Sequence, residues 1–286
     1  MRVPAYFDYL IEGFRRGAVQ RRVHLGYWDA PPRLEGAMAE DSWTDAEFAR
    51  AQRRLDERMI ALADLADGQR LLDVGCGFGG TIEAVNARHA GMQLCGVNID
   101  PRQLEICRGI PAANGNRLDW READACALPF ADGAFDRVLC IEAMFHFSSR
   151  RAFFREAARV LAPGGALVGT DLTVAPVARA LDAPDFPIER TLQEGYGPWA
   201  DFWSGDADHR HLGEDAGLRC AAHEDASAQT RPSHQFTAPA GANIHAALAT
   251  PAANSALCAA LMLKWLHTEG HLRYQCFRFD KPREPD

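Results

Sequence analysis

The chain has 286 residues, with 31 Lys and Arg against 39 Asp and Glu, a formal charge of −8. Hydrophobic residues make up 47% and charged residues 24%, the balance of a globular chain, which excludes wholesale disorder, and the acidic surplus disfavours a nucleic-acid partner. No apolar run approaches the roughly 20 residues of a membrane span, and Asp8 and Glu12 interrupt the N-terminus before a signal-like stretch develops, so neither membrane nor secretion is expected.

The first segment mixes aromatic residues (Tyr6, Phe7, Tyr9, Phe14, Tyr27, Trp28) with Arg15, Arg16, Arg21 and Arg22, a basic strip that reads as a solvated helix face, and it breaks at Pro31-Pro32. From Thr44 to Leu65 an apolar stripe of Phe48, Leu55, Met59, Ile60 and Leu62 predicts a helix, capped by Ser42 or Thr44 and closed by Gly68. Arg70 to Val74 reads as a short buried strand running into Gly75-Cys76-Gly77-Phe78-Gly79-Gly80, with a helix from about Thr81. A second strand, Gln93 to Asn98, leads to Asp100 as cap and Pro101 as first residue of another helix. A third strand region ends in the stretch Glu122 to Phe130. Phe135 to Glu142 is the next strand; Ser148 or Ser149 caps a helix through Leu161, Pro163-Gly164-Gly165 stops it, and Ala166 to Leu172 forms a further strand.

After Thr173 the alternation breaks. Residues 175–214 are rich in Pro and large aromatics (Phe186, Tyr196, Trp199, Phe202, Trp203), which predicts an insertion serving either as a peripheral cover of the sheet or as a wall of an acceptor pocket. A long Ala-rich helix then ends near His267, and His271 to Phe279 reads as the last strand. Strands alternating with helices specify an α/β fold with a doubly wound, mostly parallel sheet. The eight Cys are scattered with no Cys-x-x-Cys pair, as in a cytoplasmic protein with reduced, mostly buried thiols.

Glycines directly after a strand permit a tight turn and aim backbone N–H groups at a ligand. Gly75, Gly77 and Gly80 also satisfy G-x-G-x-x-G, a weak dinucleotide signal that leaves a nicotinamide-dependent dehydrogenase open. Asp73, two residues before the first glycine, can reach a ligand ammonium, whereas a pyrophosphate beside it would be repelled. Asn98 and Gln103 straddle a helix start at the sheet's carboxyl edge, where both can address vicinal hydroxyls of a ribose. Asp124 stands either as a plain loop cap or as an acceptor for an adenine amino group.

Together, L-L-D-V-G-C-G-F-G-G-T, G-V-N-I-D-P-R-Q, A-D-A-x-x-L-P-F followed by A-F-D-R-V, and A-A-R-V-L-A-P-G-G make about Gly26 to Leu172 resemble the class I S-adenosylmethionine (SAM) methyltransferases. The nearest likeness is to the small-molecule, natural-product branch and the cyclopropane fatty-acid synthase group, whose H-x-G-Y-W is matched by His24 to Trp28. The resemblance implies a Rossmann-like fold with an inserted helical lid: residues 1–66 as an N-terminal helical cap over the cofactor site, and 67–286 as the SAM-binding domain with an acceptor lid at about 175–214. It implies that the amides of Gly75, Gly77 and Gly79 flank the methionine part and that Tyr27 folds over it. Asn98 and Gln103 would hold the ribose, Ile99 would pack on the adenine, Asp124 and the Ala125 amide would read its edge, and Ile141 would border the sulfonium.

On the acceptor side, His146 follows the strand ending at Ile141, and an imidazole there can take a proton from a hydroxyl or amine or simply pack against the cofactor. Phe145 stands where cyclopropane synthases carry a glutamate, which argues against ring formation on a lipid alkene. The acceptor expected is a small apolar or aromatic metabolite, with O-methylation favoured over N- or C-methylation; a relative of the same fold catalysing another step, such as a cyclisation, is the alternative. No metal is expected: His209-Arg210-His211 with Asp206 and Asp208 reads as exposed loop histidines capping a helix. The sequence leaves open whether the chain forms a homo-oligomer.

Overall fold

The computed structural model describes residues 3–4, 6–29, 43–205, 208–239, 241–250 and 254–283. The Pro31-Pro32 break, the alternative cap Ser42 and Asp206 lie outside them. Helices α1 (Tyr6–Arg15) and α2 (Asp45–Ala63) precede β1 (Arg70–Val74), α3 (Gly80–Arg88), β2 (Gln93–Asn98), α4 (Pro101–Arg108), β3 (Arg117–Glu122), β4 (Phe135–Ile141), α5 (Arg150–Val160) and β5 (Leu161–Val174). Then come α6 (Ile188–Tyr196), α7 (Asp208–Asp215), β6 (Arg219–Asp225), the short α8 (Ser227–Thr230) and α9 (Ile244–Leu248), α10 (Ser255–Thr268) and β7 (Leu272–Asp280). The seven strands form one sheet in the order β3-β2-β1-β4-β5-β7-β6, parallel except that β7 runs antiparallel to both β5 and β6. Chain order reverses between β1 and β4, and at such a switch point the connections leave in opposite directions and open a crevice at the strands' carboxyl ends.

Strand alternation builds two core layers. Leu71 on β1 joins Leu139, Val168 and Leu172 beneath α2 and α10, while Leu72 and Val74 join Val138, Cys140 and Leu167 beneath α5. Asp73 therefore belongs to the α2 side of the sheet. Helix α2 starts where the sequence places it because Thr44 forms a capping box: its hydroxyl accepts from the Glu47 amide at 3.3 Å, and Glu47 accepts from the Thr44 amide at 2.8 Å. Thr44→Ala is expected to lower stability by about 1 kcal/mol, read as a lower urea midpoint with unchanged slope. Ser149, not Ser148, caps α5, and Asp100 caps α4 with Pro101 at its first position.

Three expectations change. Strand β5 begins at Leu161 and runs through Pro163-Gly164-Gly165, because Leu161 already pairs with Phe135 and Gly164 donates to the Lys281 carbonyl at 3.0 Å. The basic strip is not one solvated helix face. Arg21 donates to the Phe78 and Ile106 carbonyls, both at 3.1 Å, and Arg22 pairs with the buried Asp56 at 2.5 Å, so both tie the N-terminal segment to the glycine turn and α2. His209 is no exposed loop residue: it is 1% exposed within α7 and its Nε2 donates to Asp171 at 2.9 Å. Among the described residues no group of three or more His, Cys, Asp or Glu is placed to hold a metal ion, and no helix is long and apolar enough to cross a membrane.

Candidate active site

A cavity of about 1130 Å³ opens at the switch point, beyond the roughly 300–1,000 Å³ usual for one small ligand. Asp73, Gly75, Gly77, Asn98, Ile99, Gln103, Asp124, Ala125, Ile141 and His146 all line it. Tyr27 and Gly79 do not. Tyr27 is pinned through its amide to the Ala51 carbonyl of α2 at 2.9 Å, and its ring lies 4.9 Å from the Arg58 guanidinium, so Leu25 and His24 face the cavity in its place. Gly79 faces α4 and β3: a Cβ there would meet Ile110 at 2.8 Å and Trp120 at 3.0 Å.

The glycine turn also uses its amides differently from the expectation. The Gly75 amide donates to Val97 O at 2.9 Å and the Gly79 amide to Cys76 O at 2.8 Å, so of the three only the Gly77 amide lacks an intramolecular acceptor among the described residues. Gly75 is required for two reasons. Its φ is +75°, and a Cβ would stand 2.4 Å from the Ala143 Cβ.

Polar groups with unspent capacity converge here. Asp73 is 3% exposed and its carboxylate takes part in no hydrogen bond or ion pair among the described residues. Burial first, then the nearby Asp56 charge, pushes its pKa up to about 7, with His24 opposing. Asn98 Nδ2 donates to Gln103 Oε1 at 3.0 Å and Asn98 Oδ1 accepts from the Asp100 amide at 3.1 Å. Asn98 therefore orients Gln103, whose buried Nε2 has no partner among the described residues. Asp124 spends Oδ1 on the Cys126 amide at 2.8 Å, a loop-capping bond that leaves Oδ2 over. An ammonium, a diol and an amino-edged base match these three positions, so the residues fit SAM.

The acceptor end is aromatic. His146 Nδ1 lies 2.5 Å from the Tyr196 carbonyl, which can only accept, so Nδ1 carries the proton and Nε2 receives the Tyr6 hydroxyl at 2.8 Å. Burial pushes the imidazole pKa down to about 4. Of the aromatics in 175–214 only Tyr196 lines this cavity: Trp199 is buried in the core, Phe186 stacks on His245 at 4.9 Å, and Phe202 and Trp203 face a separate cavity.

Two lining groups escaped the sequence reading. Glu142 sits just beyond β4 with φ +50°, a strained value for a non-glycine residue, and accepts from the Leu25 amide at 2.7 Å and the Tyr274 hydroxyl at 2.6 Å. Burial raises its pKa despite His24, Tyr274 and the Leu25 amide. A carboxylate closing the apolar run Val138 to Ile141 was the available signal. Tyr6 meets His146 across 140 residues, and no local pattern announces it.

Residues 72–169 match the methyltransferase domain family model. The methyltransferase GfsG of Streptomyces halstedii is 34% identical over 83% of this chain and 80% of its own length. The 27-O-demethylrifamycin SV methyltransferase of Amycolatopsis mediterranei is 36% identical over 74% and 71%. The crystal structure of the cyclase SpnF superposes with a TM-score of 0.68 at 24% identity, over 98% of this chain and 94% of that one, a likeness of fold. With the cofactor-matched cavity, those two relatives settle the family: the chain belongs to the class I SAM-dependent methyltransferases.

Proposed function

We propose that the enzyme methylates a sizeable, largely apolar small molecule, favouring an oxygen, by in-line displacement inside this single cavity. The observation that carries the reading is the mixed lining of the cavity. Asp73, Gln103 and Asp124 bring the cofactor-matched polar groups, and Phe7, Leu10, Phe48, Phe145 and Leu263 add a broad apolar and aromatic surface. The relative acting on 27-O-demethylrifamycin SV supports a bulky natural-product acceptor and an oxygen nucleophile. The likeness of fold to the cyclase SpnF is compatible with the cyclisation alternative. In the same reading α1 and the segment before β1 serve as the N-terminal cap: Tyr6, Phe7 and Leu10 line the cavity, and Asp8 pairs with Arg102 of α4 at 2.6 Å. The segment after β5 supplies Tyr196 as the acceptor wall, and the eight free thiols fit a cytoplasmic enzyme.

Bound SAM supplies a methyl group on a good leaving group. The chain's part is then mostly positioning and water exclusion, worth up to roughly 7–11 kcal/mol, against about 10²–10⁴-fold from a general base. Asp73 would hold the ammonium, Gln103 (oriented by Asn98) the ribose, and Asp124 with the Ala125 amide the base edge, with Ile99 against the ring. Ile141 would border the sulfonium.

His146 offers Nε2 as its one proton-accepting atom, already covered by Tyr6. A hydroxyl acceptor would pass its proton to the Tyr6 oxygen as the Tyr6 proton moves to His146 Nε2. His146→Ala and Tyr6→Phe are each expected to lower kcat by about 10²-fold or less without abolishing it, and by similar factors. With the imidazole at about 4, the parent kcat should run flat from pH 6 to 8 with no step near 6.5. Unchanged rates in both variants with a hydroxyl acceptor would remove the relay. Methyl-labelled SAM incubated with candidate acceptors tests the activity itself: label moving to the acceptor supports transfer, and label retained on SAM favours a different reaction.

A further inference from the structure

A second cavity, of about 880 Å³, lies on the opposite face of the sheet at the same end of β5. Successive strand residues point to opposite faces, so Leu172 lines the first cavity while Asp171 and Thr173 turn toward the second. Beneath it is a buried ionic network. Asp171, fully buried, accepts from Arg150 Nε at 2.6 Å and from His209 Nε2 at 2.9 Å. Arg150 also donates through Nη1 to the Ala200 carbonyl and through Nη2 to Asp171 and the Leu172 carbonyl. The carboxylate only accepts, so His209 Nε2 donates and the ring's other nitrogen, Nδ1, is left over.

Among the described residues nothing meets Nδ1. Thr173 Oγ1 and Ser204 Oγ are unpartnered as well, and all three side chains line the cavity at 1%, 5% and 1% exposure for Thr173, Ser204 and His209. Buried polar atoms are almost always satisfied by protein, water or ligand, so three orphans around one hollow point to an occupant. A ring nitrogen and two hydroxyls are all served by hydroxyl groups, which both donate and accept. The rim sets Arg151 and Arg179 against Asp201, Asp208 and Asp215, and Arg151 is already paired with Asp215, so an anion finds no surplus of positive charge. The ligand set for a metal ion is missing among the described residues. Trp203 adds an aromatic ring, with the Arg179 guanidinium 6.0 Å over one side of it and its Nε1 held by Glu189 at 2.9 Å.

We propose that this second cavity binds a neutral polyol, with the rings of Trp203 and a saccharide face to face and the ligand's hydroxyls on Thr173, Ser204 and His209. The two cavities share no lining residue, so they can fill independently. The test titrates the full chain, loaded with S-adenosylhomocysteine (SAH), with methyl α-D-glucopyranoside, methyl α-D-mannopyranoside and glycerol, using saturation-transfer NMR and calorimetry. Inorganic phosphate and spermidine serve as charged probes.

At least one neutral probe should saturate, and Ser204→Ala and Thr173→Val should each weaken it about tenfold while SAH affinity stays at the parent value. No saturation by any neutral probe overturns the proposal, as does saturation by phosphate or spermidine instead, or equal binding in parent and variants. Should a variant not fold, parent crystals soaked in the glycosides decide: a ring against Trp203 upholds the site, and ordered water alone removes it.

Discussion

Gly75→Ala is expected to reduce SAH affinity by a hundredfold or more and to lower the stability of the free protein. Two costs add at one atom. The residue holds φ +75°, where a side chain costs roughly 1–2 kcal/mol, and the new Cβ would stand 2.4 Å from that of Ala143. Ala143 cannot withdraw, because it is packed with Met144 and Phe147 in the layer beneath α5. Overpacking of this kind costs roughly 1–3 kcal/mol more. The turn must shift, and with it the Gly77 amide and the Asp73 carboxylate that flank it. Adding Ala143→Gly to the variant removes the close contact and leaves the φ strain, so the double variant should recover part of both losses. Isothermal titration with SAH and thermal denaturation measure the two effects, and a Gly75→Ala protein indistinguishable from the parent would contradict the placement of the turn against Ala143.

Asp73→Asn should weaken SAH about ten- to hundredfold, the loss of one charged hydrogen bond of about 1.5–3 kcal/mol, while leaving the free protein folded. The parent's pH dependence follows from its raised pKa. Held at about 7 by burial and by Asp56, the free protein's Asp73 keeps a proton that the unfolded chain would release near 4. Its ionisation therefore costs stability as pH climbs from about 4 through 7, the reverse of the usual carboxylate behaviour. A bound ammonium favours the ionised form, so SAH affinity should rise about tenfold from pH 6 to 8, levelling above 7, with proton release on binding near pH 6.5. Asp73→Asn should flatten that slope. A parent affinity independent of pH over this range would show that Asp73 faces no cation.

What the sequence made legible is what depends on neighbours in the chain. Strands β1 and β2 end where their apolar runs end, and the caps Thr44, Asp100 and Ser149 stand at the predicted places, because cap and helix are a few residues apart. The edge strand β6, Arg219–Asp225, was missed: its residues are mostly polar or small and its pairing with β7 comes from some 50 residues away. Ten of the twelve sequence-identified site residues line the cavity, yet their roles shift with contacts no spacing encodes. Asn98 turns out to orient Gln103, and the amides of Gly75 and Gly79 are consumed by Val97 and Cys76. Tyr27 departs because its backbone is fixed to α2 and its ring covers Arg58. In the H-x-G-Y-W segment the groups that hold the cavity are instead the Leu25 amide on Glu142 and the Gly26 amide on Ser233 at 2.8 Å. His146 was legible as a cavity residue, but its neutral state follows from burial among Phe145 beside it and Tyr6 and Tyr196, which reach it only in the folded chain.

A crystal structure of the complex with SAH tests the central claim most directly. The amino group should lie beside Asp73, the ribose within hydrogen-bond distance of Gln103 Nε2, the adenine edge against Asp124 and Ala125, and the sulfur directed toward Ile141 and His146. A ligand seated elsewhere, or one that leaves Asp73, Gln103 and Asp124 without contact, would contradict it.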